Sequence, residues 1–126
     1  MSVYSIVIVD DEVEFGRLIK RVVSSMGHIA EQISSPREFM HRYEKLAPDI
    51  IFLDIFMPDF NGMDVARWLV ERGFNGKLVF ITGCGPAFLD AARAVAWRSK
   101  AEIATLEKPA RVDQIRDLVN KQRGKP

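Results

Sequence analysis

The stretch Val3–Val9, with the sequence VYSIVIV, is a short and nearly continuous apolar run that ends directly before Asp10 and Asp11. Its β-branched residues are typical of a strand that is buried on both faces. Apolar residues then recur at steps of three and four from Phe15 to Met26, which predicts an amphipathic helix that Gly27 ends. A buried strand followed by a helix is thus the unit with which the chain begins.

The same alternation continues along the rest of the chain. Further strands are predicted at Ile29–Ile33, Ile50–Leu53, Lys77–Thr82 and Ala101–Leu106. Further helices are predicted after the N-cap Ser35, around Met63, from the turn Gly83–Pro86 to about Arg98, and from Arg111 to about Gln122. Five strands that alternate with five helices imply an α/β fold, a doubly wound (βα)5 parallel sheet with helices on both faces.

Composition and charge exclude several classes of protein. The 126 residues suffice for one domain, and a formal net charge of +1 creates no field that would draw the chain to nucleic acid or to an anionic membrane. A single cysteine, Cys84, excludes an internal disulfide. The longest apolar stretches, Ile50–Leu53 among them, are far shorter than the roughly 20 residues of a membrane span. We therefore expect one cytoplasmic domain over residues 1–126, with no output domain within this chain.

Polar residues stand at or just past the carboxyl ends of four of the five predicted strands. They are Asp10 and Asp11, Asp54, Thr82 and Lys108. Ligands of such a sheet bind outside the carboxyl ends of its strands. Three carboxylates held together repel one another unless one is protonated or a cation enters, and Mg²⁺ suits a site with carboxylates, waters and a phosphate oxygen. With Lys108 and one Mg²⁺ the charges sum to zero, which indicates a site for a phosphoryl group.

Each of these residues, taken alone, also has a purely structural interpretation. Asp11 with Glu14 fits a helix N-cap, and Thr82 fits the end of a strand because threonine favours extended structure. A lysine before a proline is typical of a solvated turn. The functional interpretation therefore depends on all of them occurring together at the same edge of the sheet.

Five motifs resemble those of the receiver domain of bacterial two-component response regulators, and the resemblance covers essentially the whole chain. They are Val9-Asp10-Asp11, Leu53-Asp54-Ile55-Phe56-Met57-Pro58, Asn61-Gly62, Ile81-Thr82-Gly83 and Glu107-Lys108-Pro109. The resemblance implies a flavodoxin-like fold with the strand order 2-1-3-4-5.

The resemblance also implies a Mg²⁺-dependent reaction at Asp54. Asp54 accepts a phosphoryl group from a phosphohistidine, and Asp10, Asp11, Asp54 and the backbone carbonyl of Phe56 are the implied Mg²⁺ ligands. The implied partner is a sensor histidine kinase or a phosphotransfer protein. A module of this kind assists its own phosphorylation and dephosphorylation and is not a turnover enzyme.

Two further residues are implied to contact the phosphoryl group. Lys108 pairs with it, and Thr82 turns inward to bond it. Pro109 stands where the family commonly has a cis peptide bond. The signal then passes to a downstream protein or an attached output domain, or to a second copy in a homodimer.

The sequence departs from the family pattern around its last strand. Thr105 stands where the family commonly has Tyr or Phe, and Ala110 where it often has Phe. A phosphorylation-independent protein-binding module therefore remains an alternative, which Thr105 and Ala110 motivate and the intact acidic residues oppose. A Mg²⁺-dependent phosphatase is a weaker alternative, because Phe56 occupies the position of its second aspartate.

Phe56, two residues after Asp54, stands where many relatives have a polar side chain that orients a hydrolytic water. Its apolar ring predicts slow self-dephosphorylation. Trp68 and Trp97 are predicted to be helical residues with partly buried rings, and anchoring of a partner by an exposed Trp97 beside Thr105 is the alternative.

Overall fold

Within residues 2–57, 60–83, 93–95 and 97–121, which the computed structural model describes, a sheet of five parallel strands forms from the predicted apolar runs. The five strands of this sheet are β1 (Ser5–Val9), β2 (Ile29–Ile33), β3 (Ile50–Asp54), β6 (Lys77–Thr82) and β7 (Glu102–Glu107). Two short strands, β4 (Phe56–Met57) and β5 (Phe60–Asn61), follow β3 in the chain. The helices are α1 (Val13–Ser25), α2 (Pro36–Leu46), α3 (Gly62–Glu71) and α4 (Val112–Asn120).

The strand order β2-β1-β3-β6-β7 confirms the order 2-1-3-4-5. The short strands β4 and β5 stand apart from this sheet and pair antiparallel with each other. In the parallel sheet Val9 lies opposite Leu53, and Asp54 lies opposite Ile81. The carboxyl ends of β1, β3 and β6 are therefore nearly level, so the residues that follow them meet at one edge.

The apolar runs are continuous because both faces of the sheet are covered. In β3, Ile50 and Phe52 pack in the core layer that contains α1 and α4, whereas Ile51 and Leu53 pack in the layer that contains α2 and α3. All four side chains are fully buried. Within the described residues, no helix has the length and apolar character needed to cross a membrane.

The ends of several elements differ by one or two residues from the predicted ones. Strand β1 begins two residues after Val3, which is exposed and precedes the first ladder pair. Strand β7 begins one residue after Ala101, because the Ala101 N–H donates to Ser99 Oγ in a turn. Arg111 is the N-cap of α4 rather than its first residue, and Gln122 lies outside the described residues.

The predicted fourth helix and Cys84 lie largely outside the described residues, and only positions 93–95, 97 and 98 of that segment are described as helical. The prediction of a partly buried ring is wrong for Trp97, which is 91% exposed. Val95 of the same segment is buried, and a residue two positions later on a helix faces away from it. Trp68 is half-buried as predicted, with its ring edge-on to Tyr43 at 5.3 Å.

Candidate functional site

Two buried aspartates lie side by side at the carboxyl edge of the sheet. Asp10 follows β1 and Asp54 ends β3, the neighbouring strand, and both are almost completely inaccessible to solvent. Backbone N–H groups fix one oxygen of each carboxylate: Glu12 donates to Asp10 Oδ1 at 2.8 Å, and Phe56 donates to Asp54 Oδ1 at 3.0 Å. The second oxygen of each carboxylate is left for another partner.

The Asn61-Gly62 motif packs the start of α3 against the end of β3. The Asn61 side chain caps α3 by accepting the Met63 N–H at 2.8 Å, and the Gly62 N–H donates to the Ile55 carbonyl at 2.9 Å. A Cβ atom on Gly62 would overlap the Asp54 carbonyl and lie 2.6 Å from Ile55 Cα. Only glycine therefore allows this close approach, which holds the Asp54 backbone in place.

The Lys108 side chain reaches the two aspartates from the end of β7, an edge strand of the sheet. It follows β7, which lies two strands from β3, a distance of about 10 Å that only a long side chain can cross. Its Nζ lies 3.3 Å from Asp10 Oδ2, 3.3 Å from Asp54 Oδ2 and 2.6 Å from Glu12 Oε1. Lys108 is thus an ion-pair partner of three carboxylates, and its peptide bond to Pro109 is cis, as expected.

One oxygen of the Asp10 carboxylate is an ion-pair partner without being a hydrogen-bond acceptor. Asp10 Oδ2 is buried and accepts no hydrogen bond from the described residues, although the Lys108 ammonium lies 3.3 Å away. Burial raises the pKa of Asp10 to about 7; the hydrogen bond and charge of Asp54 act in the same direction, whereas the Glu12 N–H and Lys108 oppose them. A buried oxygen of this kind, aimed into an acidic cluster, favours a bound cation.

The carboxylates also act on Lys108. Partial burial alone would lower the pKa of Lys108, but the hydrogen bond to Glu12 and the charges of Asp10 and Asp54 together raise it above its ordinary value. The ammonium additionally lies 5.0 Å from the centre of the Phe15 ring, within cation–π range. Lys108 is therefore a permanent positive charge in the site.

The donor set fits a hard divalent cation. Carboxylate oxygens of Asp10, Glu12 and Asp54 all lie within 4.8 Å of one another. Among the residues that the structure describes, Lys108 is the cation in contact with these three groups, so the cluster carries two excess negative charges. A dication would neutralise them, and oxygen ligands at this spacing suit Mg²⁺.

The remaining predicted site residues lie at the same edge at differing depths. Thr82 ends β6 and is buried, and its carbonyl accepts the Lys108 N–H at 2.9 Å. Asp11 is exposed and lines a cleft with Ser34, Ser35 and neighbouring residues, outside the cluster of three carboxylates. Phe56 is 49% exposed, so its ring lies at the surface beside Asp54. The ligand roles of Asp11 and of the Phe56 carbonyl remain predictions.

Glu12 is the site residue that the motif pattern does not single out. The N-cap of α1 is Glu12, without a side-chain cap, so the interpretation of Asp11 and Glu14 as a helix cap is wrong. The signal in the sequence is positional: a helix that follows a strand directly places its N-cap at the carboxyl edge of the sheet. A carboxylate at that position is brought to the site by the same topology as Asp10.

Comparison with known proteins shows which families and folds the chain is similar to. The family profile described as the response regulator receiver domain matches residues 6–120. The chemotaxis protein CheY of Thermotoga maritima is 27% identical over 117 residues, which cover 92% of this chain and 97% of that protein. The response regulator protein TodT of Pseudomonas putida is 30% identical over 110 residues, 87% of this chain but only 47% of TodT, so the chain spans less than half of that relative.

Solved structures share the fold. The chemotaxis protein CheY4 of Vibrio cholerae superposes with a TM-score of 0.83, at 17% identity, over 95% of this chain and 98% of that one. The signal receiver domain of a putative Luxo repressor protein from Vibrio parahaemolyticus gives a TM-score of 0.79 at 22% identity, over 94% of this chain and 88% of that one. At these identities the likeness concerns the fold alone.

Proposed function

Because the chain belongs to the response regulator receiver domain family, we propose that its Asp54 accepts a phosphoryl group in a Mg²⁺-dependent reaction. One observation carries the proposal: the buried Asp54 lies beside Asp10 at the carboxyl edge of the sheet, and the Lys108 ammonium is 3.3 Å from both carboxylates. A nucleophilic carboxylate, an acidic group for a metal and a fixed cation are together what phosphoryl transfer needs for positioning and charge neutralisation.

The proposed donor is a phosphohistidine on a sensor kinase or phosphotransfer protein. A carboxylate oxygen of Asp54 attacks phosphorus while the phosphorus–nitrogen bond of the donor breaks, and the electron pair of that bond stays on the imidazole, which takes up a proton. The product is an acyl phosphate on Asp54 and a neutral histidine. Hydrolysis then regenerates Asp54. In this proposal the chain acts as a signalling module and not as a turnover enzyme.

Several residues of this chain assist the transfer. The Phe56 N–H fixes one Asp54 oxygen, which orients the carboxylate for attack. Lys108 neutralises charge that develops on the phosphoryl oxygens, and the buried Thr82 at the end of β6 supplies a hydroxyl for one of them. Asp10 and Asp54, with Asp11 and the Phe56 carbonyl as further ligands, would hold Mg²⁺. When bound, the ion would supply a second positive charge for the phosphoryl oxygens, in addition to that of Lys108.

We propose in addition that the phosphorylated state is long-lived. Phe56 places a half-exposed aromatic ring two residues after Asp54, where no polar group of that side chain can orient a water molecule. Hydrolysis of the acyl phosphate needs such a water in line with the bond that breaks. An apolar ring at this position therefore slows the loss of the signal.

We propose that the output surface lies around β7, which is an edge strand of the sheet. Thr105 on β7 is exposed and carries no ring that could swing inward. Trp97, by contrast, exposes 91% of its surface, and a large exposed aromatic side chain is a common anchor for a protein partner. We therefore propose that a downstream protein contacts Trp97.

Intact-mass measurement tests the proposed reaction. The chain is incubated with phosphoramidate, whose phosphorus–nitrogen bond matches that of phosphohistidine, in Mg²⁺ and in a chelator. One phosphoryl group on the wild type in Mg²⁺, and none in chelator or on Asp54→Asn, is the expected result. Asp64→Asn removes an exposed carboxylate of α3 as a matched control and should react like the wild type. An unmodified wild type that nevertheless binds Mg²⁺ would point instead to a phosphorylation-independent binding module.

A further inference from the structure

We propose that Glu12 is a positioning residue that restrains the Lys108 ammonium, and that Lys108 must leave Glu12 when Asp54 is phosphorylated. The inference rests on the proposed role of Asp54 as phosphoryl acceptor. Lys108 Nζ lies 2.6 Å from Glu12 Oε1 but 3.3 Å from the nearest oxygens of Asp10 and Asp54. A charge-assisted N–H···O bond is about 2.7–2.9 Å long, so the ammonium is held tightly by Glu12 and loosely by the residue that reacts.

The first turn of α1 forms the restraint. Glu12 is the N-cap, and Phe15 lies three residues later on the same side of the helix, with its ring 5.0 Å from Lys108 Nζ. Both contacts draw the ammonium toward α1. The Glu12 side chain is 63% exposed, and an exposed ion pair biases an equilibrium by only about two- to five-fold. The restraint is therefore weak enough to open within the reaction.

Phosphorylation creates competition for the ammonium. Lys108 Nζ donates hydrogen bonds to Glu12 and Asp54 and lies at ion-pair distance from Asp10. A phosphoryl group on Asp54 brings further negative oxygens next to the ammonium, and these oxygens compete with the carboxylates that already contact it. The contact to Glu12 is the one that water replaces most readily, because Asp10 and Asp54 are buried. Glu12 thus competes with the phosphoryl group for Lys108 and slows its addition.

A different role for Glu12 would leave a different signature. Because its carboxylate lies within 4.8 Å of those of Asp10 and Asp54, Glu12 is also close enough to ligate a cation directly. A metal ligand would change the Mg²⁺ concentration that half-saturates the reaction. A competitor for Lys108 changes the rate at saturating Mg²⁺, and it does so only while Lys108 is present.

The test is a double-mutant cycle on the phosphorylation rate with phosphoramidate, measured by intact mass over a Mg²⁺ titration. Glu12→Gln keeps the side-chain length and removes the charge, and it is expected to raise the rate at saturating Mg²⁺ about two- to five-fold. In a Lys108→Met background, the same change is expected to have no effect. Glu14→Gln is the matched control, because Glu14 pairs with Arg17 on the same helix turn and should leave the rate unchanged.

Three results would overturn the inference. An equal acceleration in the Lys108→Met background would mean that Glu12 only repels the anionic donor. A higher half-saturating Mg²⁺ concentration with an unchanged saturated rate would make Glu12 a metal ligand. A Glu12→Gln variant that is phosphorylated at the wild-type rate or more slowly would show that Glu12 does not compete for Lys108. A wild type that gains no phosphoryl group would instead contradict the proposed function, so the two failures are distinct.

Discussion

Replacing Asp10 by asparagine is expected to stabilise the metal-free protein. Asp10 is fully buried, and within the described part of the chain its Oδ2 has no hydrogen-bond donor, although it lies beside the carboxylate of Asp54. Asparagine keeps the oxygen that accepts the Glu12 N–H and places an NH₂ donor where the oxygen without a hydrogen bond was. Leaving a buried polar group unsatisfied costs about 1–3 kcal/mol, and the lost attraction to Lys108 at 3.3 Å places the gain toward the lower end of that range.

Urea unfolding at pH 8 measures this gain, because the Asp10 carboxylate is charged above its pKa of about 7. In chelator, the Asp10→Asn variant should unfold at higher urea than the wild type. Addition of Mg²⁺ at 100 times its Kd should stabilise the wild type by about 2.7 kcal/mol and the variant by clearly less. Asp117→Asn, on the exposed side of α4, controls for the change in net charge.

Two outcomes would refute this reasoning. A variant that is less stable than the wild type in chelator would mean that the Asp10 charge is already compensated without metal. Equal stabilisation of both proteins by Mg²⁺ would mean that the ion binds elsewhere. The second result would remove Asp10 from the proposed metal site, although Asp54 would still be the candidate phosphoryl acceptor.

Three further changes test separate parts of the account. His28 Nδ1 accepts the Tyr4 N–H at 3.1 Å, and burial lowers the pKa of His28 from 6.5, so this stabilisation is complete above pH 6.5 and lost as the pH falls through the lowered pKa. Between pH 7.5 and 5, the free energy of unfolding measured in urea should therefore fall less for His28→Asn, which offers a non-titrating acceptor, than for the wild type. Equal decreases for the two proteins would contradict this prediction. Gly62→Ala should destabilise the fold by about 1–3 kcal/mol and slow Asp54 phosphorylation, because the added Cβ meets the Asp54 backbone; wild-type stability would contradict the close packing. Phe56→Asn should shorten the lifetime of the acyl phosphate, which is followed by intact mass after removal of the donor. An unchanged lifetime would contradict the proposal that the Phe56 ring slows hydrolysis.

The fold class could be predicted because short apolar runs, typical of buried strands, alternate with helical patterns along the chain. Four consecutive apolar residues such as Ile50–Leu53 fit a strand covered on both faces, and the structure divides them between two core layers. The strand order came from the resemblance and not from the runs themselves, since periodicity does not specify which strands are neighbours. The ends of elements depended on single hydrogen bonds, such as that from Ala101 to Ser99, which no pattern of apolar residues encodes.

The site was predictable as far as topology alone brings residues together. Asp10, Asp54 and Lys108 meet because each follows a strand of one parallel sheet. The contact between Glu12 and Lys108 joins residues 96 positions apart and depends on the direction of a helix N-cap, which spacing does not reveal. The exposure of Trp97 was missed for a related reason: the sequence of the segment does not show which side of its helix meets the core.

Borohydride reduction of the phosphorylated protein, followed by peptide mass mapping, tests the central claim most directly. Hydride converts an acyl phosphate on an aspartate to homoserine and leaves free carboxylates unchanged, so it marks the acceptor itself. After reaction with phosphoramidate and Mg²⁺, homoserine is expected at position 54 and at neither Asp10 nor Asp11. Homoserine at another aspartate, or at none in a protein that has gained a phosphoryl group, would contradict the assignment of Asp54.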